Sequence, residues 1–144
     1  MKKEAIRLRK RYVYPLSSFH VHPHSGSKAT NLQFLLHRKF LVPPAWVIIW
    51  SALEDSLQDC SFVLTSIRHE VMMFISPDKR YAVRSSASVE DNCECSCAGL
   101  FDSYLDVMGI DEIIECVRKV WASINSPEFL SYRQKNLSEG IKAH

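Results

Sequence analysis

At 144 residues, with a formal net charge of +2, the chain has the size and near-neutral balance of one ordinary globular domain, and charge alone implies no nucleic-acid partner. No apolar run approaches the roughly 18 residues that span a membrane. The N-terminal MKKEAIRLRKRYVYPL lacks the apolar stretch of a secretion signal, and five cysteines, an odd number, fit a reducing compartment better than a disulfide framework. A cytoplasmic protein is therefore expected.

Taken in chain order, the pattern predicts an α+β fold of mixed helices and short strands. Residues 1–11 are a basic segment, and 12–16 read as a first strand. Ser27 or Ser25 is placed to cap a helix over 28–39, with Leu32, Leu35, Leu36 and Phe40 on one face. Residues 41–50 are rich in Pro, Val and Ile and read as a buried strand entered through Pro43-Pro44. One helix is expected after Ser51 and another over 62–75, where Ile67, Val71 and Phe74 keep helical spacing. Pro77-Asp78 turns the chain. Residues 81–84 and 104–107 read as strands. Asp111 is expected to cap an amphipathic helix carrying Ile113, Ile114, Val117, Val120, Trp121 and Ile124. Ser126-Pro127 begins a last helix, and the tail over 137–144 shows no pattern.

The most informative stretch is 81–105, YAVRSSASVEDNCECSCAGLFDSYL. A short apolar strand delivers Arg84 at its end, and small and polar residues follow as far as Gly99. A cation at a strand end before a Ser- and Gly-containing loop suits phosphate oxygens, which an arginine fork can meet in bidentate fashion. A structural ion pair to Glu90 or Asp91 is the plainer role for the same arginine. Upstream, Lys28 follows Gly26-Ser27 at an expected helix N-terminus, where backbone N–H groups and the helix dipole favour an anion. An ordinary surface lysine is the plainer reading there.

Three blocks in order carry a resemblance. They are Gly26-Ser27-Lys28-Ala29-Thr30-Asn31-Leu32 with Val42-Pro43-Pro44; Ala82-Val83-Arg84-Ser85-Ser86-Ala87 through Glu90-Asp91, Ser96, Ala98, Gly99, Asp102, Tyr104 and Leu105; and Val120-Trp121-Ala122-Ser123 with Tyr132-Arg133. Together they resemble the N-terminal nucleotide-binding domain of the phosphoenolpyruvate synthase and pyruvate phosphate dikinase family, which rifampin phosphotransferases share. The resemblance covers roughly residues 12–133 and implies an ATP-grasp-type N-terminal subdomain over 12–136. It implies that Lys28 and Arg84 contact ATP phosphates and that the loop Gly99-Leu100-Phe101-Asp102-Ser103 closes over them. The chain departs from the family pattern at Leu100, Ser27 and Cys97, where glutamine, glycine and phenylalanine are usual.

The resemblance further implies ATP with Mg2+ as cofactors, and phosphoryl transfer to a catalytic histidine on another domain, thence to pyruvate or another acceptor. None of the six histidines here lies in a motif matching that residue, no complete magnesium ligand set is visible, and no catalytic residue is assigned. The chain ends before the family's adenine-contacting and metal-binding region. A second ATP-grasp subdomain and a phosphohistidine domain are thus expected as partners, in cis or trans, and self-association through the exposed face is also expected. The other reading is a truncated, non-catalytic relative that binds nucleotide weakly or docks a protein.

Two alternating trios, Cys93/Cys95/Cys97 and His20/His22/His24, place like side chains on one face of an extended segment. Structural zinc sites pair their cysteines differently, so no metal site is expected. The basic residues Lys2, Lys3, Arg7, Arg9, Lys10 and Arg11 read as a solvated terminal segment, an anionic surface or RNA contact being the alternative.

Overall fold

A computed structural model describes residues 10–18, 26–86 and 102–123. Within these, the chain runs β1 (Val13–Pro15), α1 (Ser27–His37), β2 (Trp46–Ile48), α2 (Trp50–Met72), β3 (Arg80–Arg84), β4 (Ser103–Met108) and α3 (Ile110–Ser123). The strands form two antiparallel pairs, β1 with β2 and β3 with β4. Mixed helices and small antiparallel sheets make the fold α+β, as the sequence pattern leads one to expect.

The β1–β2 pair aligns Val13 with Ile48 and Pro15 with Trp46. The Glu70 carboxylate of α2 accepts the Val13 N–H at 2.8 Å and the Tyr12 N–H at 3.1 Å. A side chain thus satisfies backbone donors that a third strand would otherwise take. The 41–50 segment departs from its expected form. Only Trp46–Ile48 pairs as a strand, Trp50 already belongs to α2, and Leu41 is fully exposed. Pro43 and Pro44 have no N–H to give a ladder, so the strand begins only after them.

The two helices expected after Ser51 are consecutive halves of α2. They meet at Asp59, whose φ of −149° and ψ of 82° are extended. The Asp59 Oδ1 accepts the Phe62 N–H at 3.0 Å and so caps the second half. That half ends at Met72 rather than residue 75. The turn at Pro77-Asp78 forms as expected, with the Lys79 N–H donating to the Ser76 carbonyl. Proline sits at its favoured second position.

The β3–β4 pair sets Tyr81 opposite Val107, Val83 opposite Tyr104 and Arg84 opposite Ser103, with a register irregularity between Tyr81 and Val83. Asp106, at φ 57°, takes up the extra residue on β4. The irregularity keeps Tyr81, Val83, Tyr104 and Val107 all turned toward the core.

Asp111 does not cap α3. Gly109, at φ 80°, precedes the helix, and Glu112 reaches back to accept the Met108 N–H at 2.8 Å. The acid at the third helical position thus reaches back past the N-cap residue, one residue further than in a capping box. Asp111 instead pairs with Arg68 of α2 at 2.6 Å. The core joins Tyr12, Val13, Ile49 and Ala52 with Val63, Ile67, Val71, Val107, Ile113 and Cys116. Burial pushes the Cys116 thiol pKa up.

Helix α1 departs most from its sequence reading. Its only buried residue is Ala29, it stops at His37, and Leu32, Leu35 and Phe40 are exposed. Lys39 at φ 66° turns the chain away before residue 40. Neither expected cap residue is seen in that role. Ser27 is the first helical residue, Gly26 holds the cap position, and Ser25 lies outside the described residues.

Of the basic N-terminal residues, Lys10 pairs with Asp55 at 2.7 Å and Arg11 donates from Nε to the Val13 carbonyl. Both are used inside the fold. The Tyr12 hydroxyl also donates to Asp55, at 2.9 Å. These two hydrogen bonds hold the Asp55 carboxyl below its ordinary 3.8. A depressed carboxyl stabilises the fold above its unfolded pKa, and the benefit is lost as pH falls through the folded value. Asp55→Asn should therefore lower the melting temperature slightly at pH 7 and leave a smaller difference from the parent below about pH 4, in thermal scans across pH.

Among the described residues no helix is long and apolar enough to cross a membrane. Ile124, the helix expected from Ser126-Pro127, both trios and the 137–144 tail lie outside the described residues.

Candidate phosphate-binding site

The two cation-bearing blocks meet through Ser86. Two residues past Arg84 the chain comes against the start of α1, and the Ala29 N–H donates to the Ser86 Oγ at 3.0 Å. Gly26 has no side chain to cap its own helix, so a hydroxyl from the other block does so. The close approach also requires glycine. A Cβ on Gly26 would collide with the Ser86 carbonyl, and its φ of 77° with ψ of 165° is a region open essentially to glycine alone. Ser85, the residue before Ser86, is buried.

Lys28 is therefore the second residue of a helix whose first turn is fastened to the end of the arginine strand. It is half-buried, while Arg84 is exposed. Arg84 stands directly across from Ser103, so the last residue of β3 and the first of β4 share one end of the hairpin. Alternation along the strands sets Arg84 and Ser103 on the face opposite Val83 and Tyr104, away from the core. One ammonium, one guanidinium and one hydroxyl are all donors suited to phosphate oxygens.

Asp102 adjoins this group but is engaged elsewhere. Its Oδ2 accepts the Tyr104 hydroxyl at 2.8 Å. That hydrogen bond, with a smaller desolvation, raises the phenol's pKa above its ordinary value. Lys119 of α3 lies 5.7 Å from the centre of the Tyr104 ring. Gly99, Leu100 and Phe101 lie outside the described residues. Among the described residues no group of three His, Cys, Asp or Glu is placed to hold a metal ion. A groove lined by Ser17, Leu36, His37, Lys39 and Phe40 lies at the opposite end of α1 from Lys28 and takes no part in this arrangement.

The sequence reading brought out Lys28, Arg84 and Ser103 but not the residues that fix their places. Ser86 and Gly26 lie inside the family-like blocks. The detectable signal is a glycine just before the predicted helix. Tyr104 had a period-two signal, Asp102-Ser103-Tyr104, that puts acid and phenol on one strand face.

The family model described as pyruvate phosphate dikinase, AMP/ATP-binding domain, matches residues 63–142, more than half of the chain. The chain belongs to this family. Arg84 and residues 99–103 fall within the matched dikinase-domain residues, and the Lys28 block lies upstream of them. The chain is 50% identical over 56 residues to phosphoenolpyruvate synthase of Aeropyrum pernix, covering 39% of this chain and 7% of that protein. It is 39% identical over 74 residues to rifampicin phosphotransferase of Bacillus cereus, covering 51% of this chain and 8% of that protein. A probable phosphoenolpyruvate synthase of Pyrococcus horikoshii is 50% identical over 54 residues, 38% of this chain and 7% of its own length. The matched part of this dikinase-family chain thus spans less than a tenth of each of these relatives.

Proposed function

We propose that the chain forms one wall of an ATP site in a phosphotransferase of the phosphoenolpyruvate synthase and dikinase type. Lys28 and Arg84 hold phosphate oxygens, Ser103 adds a hydroxyl, and backbone N–H groups of the 99–103 loop cover the chain of phosphates. The observation that carries this reading is the Ser86 junction, which ties the lysine helix to the arginine strand. Phosphoryl transfer depends on positioning and charge neutralisation, and two cations fixed to one junction supply both on the phosphate side.

Magnesium accompanies the nucleotide in this proposal. Its protein ligands are supplied by another part of the assembled site. The acceptor is a catalytic histidine on a separate domain, supplied with the second ATP-grasp subdomain in cis or in trans. The setting is cytoplasmic. ATP titration by calorimetry of Lys28→Ala and Arg84→Ala tests the site. Each lost charge-assisted contact should cost about 1.5–3 kcal/mol, roughly a ten- to 150-fold loss of affinity. Unchanged affinity in both variants defeats the assignment.

A second reading draws on the exposed apolar side chains. Phe34 on α1 and Leu105 and Met108 on the outer face of β4 stand in solvent. Such a surface favours a protein-docking or self-associating module that binds nucleotide weakly or not at all. The same titration separates the two readings, since for a docking module ATP affinity is weak or absent and alike in the parent and both variants.

A further inference from the structure

We propose that Tyr104 is a positioning residue that keeps Asp102 from neutralising Arg84, leaving the guanidinium open to an anionic ligand. This deepens the phosphate-site reading and rests on it. Arg84 faces Ser103 across the β3–β4 pair, so Asp102 is the next residue along from its cross-strand partner. A carboxylate so near an exposed arginine is its natural ion-pair partner, and an arginine–carboxylate fork would compete directly with a phosphate. Instead the carboxylate is turned to the opposite strand face, where the Tyr104 hydroxyl donates to Oδ2 at 2.8 Å. Residues two apart on a strand share a face, which makes 102 and 104 partners and separates both from Arg84.

The phenol is itself held in place. Tyr104 pairs with Val83 in register, packs against the core, and carries Lys119 of α3 over its ring at 5.7 Å. A side chain fixed by core packing can hold an acid steadily, whereas a hydroxyl on a mobile surface residue would not. Among the described residues the Arg84 side chain makes no ion pair or hydrogen bond. The arrangement therefore separates charge by strand face: acid and phenol on one, arginine and serine hydroxyl on the other.

The test uses the full chain, with ATP and inorganic pyrophosphate as probes in calorimetry. Tyr104→Phe removes only the hydroxyl and should weaken both ligands about two- to five-fold, the range of one exposed ion pair gained by Arg84. Adding Asp102→Asn to that variant should restore the parent's affinity, because the freed side chain is then neutral. An unchanged affinity in Tyr104→Phe, or a loss that Asp102→Asn does not rescue, overturns the proposal. Thermal stability supplies a readout that needs no ligand. Coupling between Arg84→Ala and Asp102→Asn should be absent with Tyr104 in place and should appear in the Tyr104→Phe background. If the parent binds neither probe, the phosphate-site reading fails. The coupling then still decides the role of Tyr104: its appearance upholds the separation of Asp102 from Arg84, and its absence refutes it.

Discussion

Gly26→Ala should both destabilise the chain and weaken nucleotide binding, more than any other single methyl added near the site. Two costs combine. The backbone at φ 77° and ψ 165° lies where non-glycine residues pay about 1–3 kcal/mol. The new Cβ also meets the backbone carbonyl of Ser86, which cannot rotate aside as a side chain would. Overpacking of that kind typically costs a further ~1–3 kcal/mol. Relief requires the α1 N-terminus and the chain after β3 to separate, which breaks the Ala29 to Ser86 hydrogen bond and moves Lys28 away from Arg84. Thermal unfolding should report a clear fall in melting temperature, and ATP titration a loss of at least about tenfold. Ser86→Ala, which removes the hydroxyl without adding bulk, should show a milder form of the same effect. Parent-like behaviour of Gly26→Ala in both measurements would mean that the junction does not set the geometry of the site.

Gly109 offers an internal comparison. It has a similar φ of 80°, yet a Cβ there meets nothing within 4 Å. Gly109→Ala should therefore show the backbone cost alone, about 1–2 kcal/mol, with nucleotide affinity unchanged. The contrast between the two glycines separates strain from collision.

Much of the fold was legible in local chemistry. The short apolar run Tyr81-Ala82-Val83 marked β3, and helical spacing marked both the second half of α2 and α3, where one regular face is buried against the core. The boundaries were set by details that pattern does not display. Asp59 ends one helix and begins another through a single side-chain bond to Phe62. Glu112 rather than Asp111 closes the start of α3, since the third helical position reaches back and the second does not. The misreadings at α1 and at 41–50 share one cause. Leu32, Leu35 and Phe40 mark one apolar helix face and Leu41 opens an apolar strand segment, but the described fold leaves all four exposed. Hydrophobic periodicity reports that a face can be buried, not what it is buried against.

The candidate site was legible as residue types and not as a geometry. Lys28 and Arg84 lie 56 positions apart in sequence, and nothing in their spacing brings them together. Their connection is a hydroxyl and a glycine, Ser86 and Gly26, which in a sequence look like filler between more expressive residues. Asp102 was read as part of a phosphate-covering loop, and the structure gives its carboxylate a different occupation, on Tyr104. That contact is local, two residues along the strand, and only its period-two spacing hints at it in the sequence.

Removing both cations together should have the largest effect on binding. Lys28→Ala with Arg84→Ala strips the proposed phosphate wall of its full charges while leaving the Ser86 junction in place, since neither side chain forms the Ala29–Ser86 bond or fills the Gly26 contact. If the two contacts are independent, their costs add to about 3–6 kcal/mol, a loss of at least about 100-fold. The measurement that tests the account most directly is ATP titration by calorimetry of the parent and this double variant, with melting temperatures recorded for both. The account predicts saturable ATP binding by the parent, a loss of at least about 100-fold in the double variant, and closely similar melting temperatures. Equal ATP affinity in the two proteins would contradict it.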